Sequence, residues 1–292
     1  MAQSRETEEQ CNGNCSTCPS AQKEGCDSPQ KGLPPKAKID VKHVILVLSG
    51  KGGVGKTTVS VNLASALANH GKTVGLLDLD IHGPNVPKMV GAEGQKLMVM
   101  GNKIEPIRVT GTLSVVSMEF LLPDADTPVI WRGPMKMSAI KQFLEDVNWG
   151  PLDYLVVDLP PGTGDEALTI VQLAPNIRGA VIVTTPQEVS TMDSKKAAKF
   201  VEKLDLPVIG IIENMSGLIC PDCGKEIEIF GKGGGKKAAE ELGVPFLGAI
   251  PIDPEMRKAG DEGRPFINRH ADSPSWKAID AVMENLVRIV EG

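Results

Sequence analysis

The sequence predicts an α/β fold, a mostly parallel sheet with helices on both faces, and three features of it carry that expectation. From residue 42 onward, short apolar runs alternate with helix-length amphipathic segments, the pattern of strands joined by crossover helices. The runs are apolar throughout rather than alternating with polar residues, as strands covered on both faces require. One of them, 44–48, passes through a glycine-rich stretch straight into a helical pattern. Taken in order, strands are expected over 44–48, 74–79, 113–118, 154–157, 180–184, 208–212 and 246–250. Helices are expected over 56–69, 135–147, 166–173, 191–204, 236–242 and 275–290. Right-handed crossovers then join the parallel strands.

Composition narrows the function classes. With 292 residues the chain allows one large or two ordinary domains, at roughly 150 residues each. Its 41% hydrophobic content and 31 glycines are those of a globular protein. Lys and Arg number 31 against 37 Asp and Glu, a net charge of -6, so no net basic field exists for nucleic acid or for an anionic membrane. The longest uninterrupted aliphatic stretch, 44–48, falls far short of the ~20 residues that cross a bilayer. The first ten residues have no apolar core and no small-residue cleavage site, so a cytoplasmic location is expected. The last predicted helix sets Trp276, Ile279, Met283, Leu286, Val287 and Val290 on one face, but Lys277 and Arg288 are matched by Asp280 and Glu284. That helix lacks the basic polar face of a membrane-surface helix and is expected to dock on its own sheet.

The glycine-rich stretch reads Ser49-Gly50-Lys51-Gly52-Gly53-Val54-Gly55-Lys56-Thr57-Thr58, the GxxxxGK[ST] pattern in its strand–loop–helix setting. Glycines let successive backbone N–H groups face one anion, and the helix N-terminus adds partial positive charge at the same spot. Lys56 is expected to pair with the β- and γ-phosphates and Thr57 to bind Mg2+. Lys51 is a second loop lysine that the generic pattern does not need. The segment Tyr154-Leu-Val-Val-Asp158-Leu-Pro-Pro-Gly162-Thr-Gly164-Asp165 ends an apolar strand in an acid. Asp158 is placed there to hold Mg2+ through its water, and Gly162 and Gly164 to form a loop that senses the γ-phosphate. Asp78 and Asp80 end another strand, where an open parallel sheet binds its ligands, and Asp80 could orient the attacking water. The guanine-reading Asn-Lys-x-Asp is missing, since Asn102-Lys103-Ile104-Glu105 lacks the Asp, so ATP is the expected nucleotide. The stretch 231–237 lacks the Lys-Ser/Thr ending and is read as a loop feeding a helix.

Six cysteines in a chain expected to stay in a reducing compartment point to metal or redox chemistry rather than to disulfides. Cys11, Cys15, Cys18 and Cys26 lie in a polar, largely irregular leader, 1–38, ahead of a domain spanning 39–292. Their spacing, C-x3-C-x2-C-x7-C, can wrap one four-coordinate site, an iron-sulfur cluster or zinc. Cys220 and Cys223 supply only two thiolates, half of what tetrahedral zinc or a cubane cluster needs, so two chains could share a site there. A bridging cluster, a bridging zinc and a redox CxxC all fit the pair, although nothing sets it at a helix N-terminus as the redox reading requires. The histidines, His43, His70, His82 and His270, are scattered and none is assigned as a ligand.

With Lys51, Asp80 and the 158–164 segment together, residues 42–292 resemble the Mrp family of iron-sulfur cluster carrier ATPases. These belong to the deviant Walker A group that includes MinD, ParA and the nitrogenase iron protein, so a P-loop NTPase fold of that type is expected. The likeness extends to Asp78-Leu-Asp-Ile-His-Gly-Pro-Asn-Val-Pro87, Trp131-Arg-Gly-Pro134, Ile212-Glu-Asn-Met-Ser216, Cys220-Pro-Asp-Cys223 and Phe230-Gly-Lys-Gly-Gly-Gly235. The resemblance implies a homodimer in which Lys51 reaches the partner's nucleotide and Asn214 contacts the adenine. It implies Lys51, Lys56, Asp80 and Asp158 as the catalytic set, and a 4Fe-4S cluster bridged by Cys220 and Cys223 of two copies. Slow, regulatory ATP hydrolysis would accompany cluster transfer to apo iron-sulfur proteins, with a cluster assembly scaffold as donor. The leader resembles the four-cysteine element of Nbp-type relatives, with different first and last gaps. The competing reading is a MinD- or ParA-like positioning or interaction ATPase stapled by zinc.

Overall fold

The computed structural model describes residues 35–81, 83–121, 133–220, 223–268, 271 and 273–292. Cys11, Cys15, Cys18 and Cys26, His82 and His270, and Trp131 and Arg132 lie outside the described residues. Residues Pro35–Gly292 cluster as one unit.

The chain enters β1 (Val41–Leu48), crosses the glycine loop into α1 (Lys56–Asn69) and returns along β2 (Val74–Asp78). A short α2 (Val86–Met89) leads to a separate hairpin, β3 (Met98–Met100) with β4 (Lys103–Glu105), and then to β5 (Ile107–Arg108) and β6 (Leu113–Ser117). Next come α3 (Gly133–Glu145), β7 (Leu152–Asp158), α4 (Asp165–Leu173), β8 (Ile177–Thr184) and α5 (Glu188–Lys203). The last part holds β9 (Val208–Ile219), β10 (Glu226–Ile227), α6 (Gly234–Leu242), β11 (Phe246–Ile252), α7 (Pro254–Asp261) and α8 (Pro274–Glu291). The main sheet runs β10-β9-β8-β1-β7-β2-β6-β5, with β11 also on β9. Its pairings are parallel except for β5 on β6 and β10 on β9.

The strands bury both faces, which is why they read as apolar runs. Along β1, Ile45 and Val47 join one core cluster while Val44, Leu46 and Leu48 join the other. The first face is covered by α1 and α8, the second by α3 and α4. Helix α1 is buried almost all round, and its Ser60, Ala64, Ser65, Ala66 and Ala68 let it lie close to its neighbours. Helix α8 buries Ile279, Val282, Met283, Leu286 and Val290, so the expected docking on its own sheet is what the fold contains. Its start is set by Ser273, whose hydroxyl accepts from the Trp276 amide at 3.0 Å, with Pro274 in the first turn. No helix among the described residues is long and apolar enough to cross a membrane.

Every predicted strand and helix is present, with shifted ends. The largest correction is β9, which runs on to Ile219 rather than stopping at 212. Glu213, Asn214 and Ser216 break the apolar run, yet all three are buried: Asn214 bonds the glycine loop, Glu213 the Gly233 amide, and Ser216 Glu213 itself. The short elements α2, β3, β4, β5, β10 and α7 were not expected, being too brief for a periodic pattern to register. Asn102-Lys103 falls in the β3–β4 hairpin, where Lys103 Nζ donates to the Glu145 carbonyl at 2.6 Å.

Candidate functional site

Parallel pairing brings three strand ends together. Val47 of β1 and Asp78 of β2 both sit in register with Asp158 of β7, so the two carboxylates lie on adjacent strands beside the glycine loop. Within that loop Gly53 (φ 82) and Gly55 (φ 78) take the left-handed conformation that side chains disfavour. A Cβ on Gly50 would strike the Asp193 backbone, and one on Gly55 would strike the Asn214 amide. The loop is thus gripped from outside by α5 and β9 while its inner side faces a cavity. The Gly162 amide donates to the Ser49 carbonyl at 3.0 Å, tying the segment after β7 to the loop. Gly55 caps α1 without a side chain, which leaves the first helical N–H groups for an anion.

Asp158 is wholly buried and is the hub of the site. Its Oδ2 accepts from Thr57 Oγ1 at 2.8 Å and its Oδ1 from Ser60 Oγ at 2.6 Å. The Lys56 ammonium lies 2.7 Å from Oδ1, but out of line for a hydrogen bond. Lys56 Nζ and Ser49 Oγ are therefore buried polar atoms without a hydrogen-bond partner. A cation with protons to give, beside a ring of backbone amides, is the donor set a polyphosphate needs, and the residues fit that ligand. Asp78 accepts from Ser117 Oγ at 2.8 Å and from the Asp80 amide at 3.0 Å. Burial, reinforced by the neighbouring Asp158 charge, pushes Asp78 up to about 8.

The cavity over this hub has a volume of about 580 Å3, in the range for a cofactor-sized ligand. It is lined by Ser49, the loop from Lys51 to Thr58 and Asp80. Asn214, Met215, Phe230, Pro251, Ile252 and Asp253 also line it. Gly50, Lys51, Gly52, Gly53, Val54, Gly55, Lys56, Thr57, Thr58, Asp80, Asp158, Gly162 and Asn214 are thus gathered at or beside one cavity. Lys51 and Asp80 stand at its partly exposed rim. Sequence reasoning missed Ser60, the burial of Asp78 beside Asp158, and the wall made by Phe230 and 251–253. A signal existed for the last: Pro251-Ile-Asp253-Pro after a strand places an acid at a helix N-cap, and Asp253 accepts from the Glu255 amide at 2.9 Å.

The cysteine pair lies just past the end of β9. Asn214 donates its amide to the Val54 carbonyl at 2.9 Å, pinning β9 to the loop. Past it the strand bulges: Asn214 pairs with Ile250 and Leu218 with Ile252, so three β9 residues face one on β11. Met215 (φ 59) and Gly217 (φ 73) absorb the bulge. The strand then delivers half-buried Cys220 and exposed Cys223 to a turn, closed by Cys220 N donating to Lys225 O and Gly224 N to Cys220 O, both at 2.9 Å. Among the described residues no helix begins there, as a redox CxxC would require. Among the same residues no group of three or more His, Cys, Asp or Glu is placed to hold a metal, so the pair stands as two thiols. The loop at 231–237 does feed a helix, α6.

The sequence profile described as ParA, NUBPL iron-transfer P-loop NTPase, matches residues 40–287. A protein of Methanocaldococcus jannaschii named iron-sulfur cluster carrier protein is 53% identical over 289 residues, 97% of this chain and 98% of that one. Another of the same name from Saccharolobus solfataricus is 53% identical over 252 residues, 86% and 85% of the two chains. Among solved structures, a nucleotide-binding protein in complex with ADP from Archaeoglobus fulgidus superposes with a TM-score of 0.70 at 40% identity, covering 82% of this chain and 91% of that one. MinD of Aquifex aeolicus gives 0.60 at 23% identity over 84% and 97%, a likeness of fold alone.

Proposed function

The chain belongs to the NUBPL iron-transfer P-loop NTPase family, and on that premise we propose that it is an ATP-hydrolysing carrier of iron-sulfur clusters. It assembles a 4Fe-4S cluster between two copies of itself and delivers it to apo-proteins, with a cluster assembly scaffold as donor. One observation carries the reading: a single strand, β9, holds Asn214 against the phosphate loop and ends at Cys220, so nucleotide and cargo sites share one element.

The phosphates of ATP rest on the loop amides and the N-terminus of α1. Lys56 leaves Asp158 Oδ1 and donates to the β- and γ-phosphates. Thr57 and, through water, Asp158 would hold Mg2+, which would neutralise phosphate charge. Asp80 at the rim orients the attacking water, Gly162 registers the γ-phosphate, and Lys51 serves the partner copy's nucleotide. Asn214 and the wall at 251–253 receive the adenine. Hydrolysis is slow and regulatory.

Cys220 and Cys223 bind the cluster as cargo. Two thiolates from each of two copies complete the four that a cubane takes, and a ligand set split across an exposed two-fold junction gives its cargo up readily. The leader, 1–38, holds a second iron-sulfur cluster or zinc on Cys11, Cys15, Cys18 and Cys26, and 39–292 is the ATPase domain. The carrier works in the cytoplasm, where its thiols stay reduced, with no membrane or nucleic-acid partner.

The test is transfer. Anaerobically loaded protein is mixed with an apo iron-sulfur enzyme whose activity reports cluster arrival. Wild type activates it, while Cys220→Ala/Cys223→Ala folds, binds ATP and does not. Equal activation by the variant would refute the carrier mechanism.

A further inference from the structure

Glu213 is a wholly buried carboxylate next to Asn214 that the functions above do not use. It accepts from Ser216 Oγ at 2.5 Å, from the Gly233 amide at 2.9 Å and from the Gly235 amide at 2.5 Å. The glycine-rich turn at 231–235 therefore spends its helix-start amides on an internal carboxylate, which explains why it is no second phosphate loop. Its glycines are required by this contact: a Cβ on Gly235 would lie 2.9 Å from Glu213 Cβ and 3.0 Å from Thr184 Cγ2, and one on Gly234 would strike the Pro186 backbone. Lys232, in the same turn, donates to Glu226 Oε1 at 2.6 Å and Oε2 at 2.8 Å. Glu226 begins β10, the return arm of the cysteine hairpin.

Both arms of the hairpin thus lead back to one residue. The outgoing arm is β9 itself, and the return arm is anchored through Glu226, Lys232 and the Gly233 amide. On the other side of Glu213, Asn214 grips Val54 O and packs on Gly55, so a displacement of the phosphate loop must pass through the 213–214 pair. We propose that Glu213 is the positioning residue that couples the nucleotide loop to the cysteine pair, holding Cys220 and Cys223 in a geometry that changes with nucleotide state. The inference rests on the reading of that pair as the cargo site. A carboxylate held by several donors suits the task because removing it orphans buried amides on the turn, so turn and strand move together or not at all.

The experiment uses the full chain, as wild type, Glu213→Gln and Ser216→Ala. The alkylation rates of Cys220 and Cys223 by N-ethylmaleimide are mapped by mass spectrometry in metal-free protein, with and without Mg-ATP. Cluster loss to a chelator is followed in parallel in loaded protein. In wild type, Mg-ATP shifts the alkylation rate by about fivefold or more, the low end of ordinary coupling between two sites. Glu213→Gln, which sets an amide against the turn's N–H groups, binds ATP near wild-type affinity and loses that shift. Ser216→Ala, which removes one donor and leaves the turn's amides in place, shows an intermediate shift and decides the matter if Glu213→Gln does not fold. A wild-type shift retained in full by both variants overturns the proposal, as does a wild type with no shift. A shift in wild type, lost in Glu213→Gln, in a protein that takes up no cluster would uphold the coupling and refute the cargo reading instead.

Discussion

Replacing Ser60 with alanine removes one hydroxyl from the buried hub and tests how Asp158 is held. Ser60 Oγ donates to Asp158 Oδ1 at 2.6 Å, beside the Lys56 contact at 2.7 Å, while Thr57 serves Oδ2. A hydrogen bond to a charged group contributes about 1.5–3 kcal/mol, and Ser60 and Asp158 are both fully buried, so water does not replace it. At roughly 2–4 °C per kcal/mol for a domain of this size, the melting temperature should fall by about 3–12 °C. The effect on nucleotide should be larger than this suggests. On the proposed mechanism ATP and Mg2+ draw Lys56 and Thr57 away from Asp158, and Ser60 is the side-chain donor that stays. Its loss is then felt more in the bound state, and ATP affinity should fall by about tenfold for each 1.4 kcal/mol of that difference. Thermal unfolding with and without Mg-ATP, together with calorimetric titration, reads both quantities. An unchanged melting temperature and an unchanged dissociation constant would refute the assignment of Ser60 as the residue that holds Asp158.

Other outcomes follow from the same geometry. Lys56→Ala should abolish nucleotide binding, seen as loss of thermal stabilisation by Mg-ATP with the nucleotide-free protein still folded; retained stabilisation would contradict the donor role. Gly55→Ala forces a side chain onto a φ of 78 and into the Asn214 amide, so it should cost about 1–3 kcal/mol of stability and weaken ATP binding; a neutral result would mean the grip of β9 on the loop is soft. Asp78, raised from 3.8 to about 8, binds its proton more tightly folded than unfolded. The stability it confers is complete below its unfolded value near 3.8 and is lost as pH rises through about 8. Wild type should therefore lose melting temperature more steeply than Asp78→Asn between roughly pH 4 and 8, the two curves becoming parallel above that, and curves parallel throughout would contradict a raised Asp78.

The nucleotide half of the site was legible because its chemistry is local. Loop, lysine and threonine are contiguous, and the strand before and helix after them are strong patterns, so 49–58 and Asp158 could be joined without knowing the fold. Ser60 was not legible, because nothing in the sequence shows that the next turn of α1 faces a carboxylate far along the chain. The tail of β9 was hidden for a related reason. Glu213, Asn214 and Ser216 look like the end of a strand, and only the partners of Glu213 at the start of α6 and of Asn214 on the phosphate loop, with Ser216 bonded to Glu213, make them suitable for burial. Those partners are also what joins the cysteine hairpin to the loop, so the apolar-run criterion failed at the point where the two sites meet. The spacing of Cys220 and Cys223 announced a two-ligand site, but the turn that presents it depends on the bulge at 215–217.

The central claim is that the Cys220/Cys223 pair of two copies holds one 4Fe-4S cluster. The most direct test is iron, sulfide and zinc per chain after anaerobic reconstitution, for wild type, Cys220→Ala/Cys223→Ala, and a chain beginning at residue 38. The account predicts about two irons and two sulfides per chain that depend on the pair and survive removal of the leader, one cubane for every two chains. Zinc at the pair with no iron, or iron that persists unchanged without Cys220 and Cys223, would contradict it.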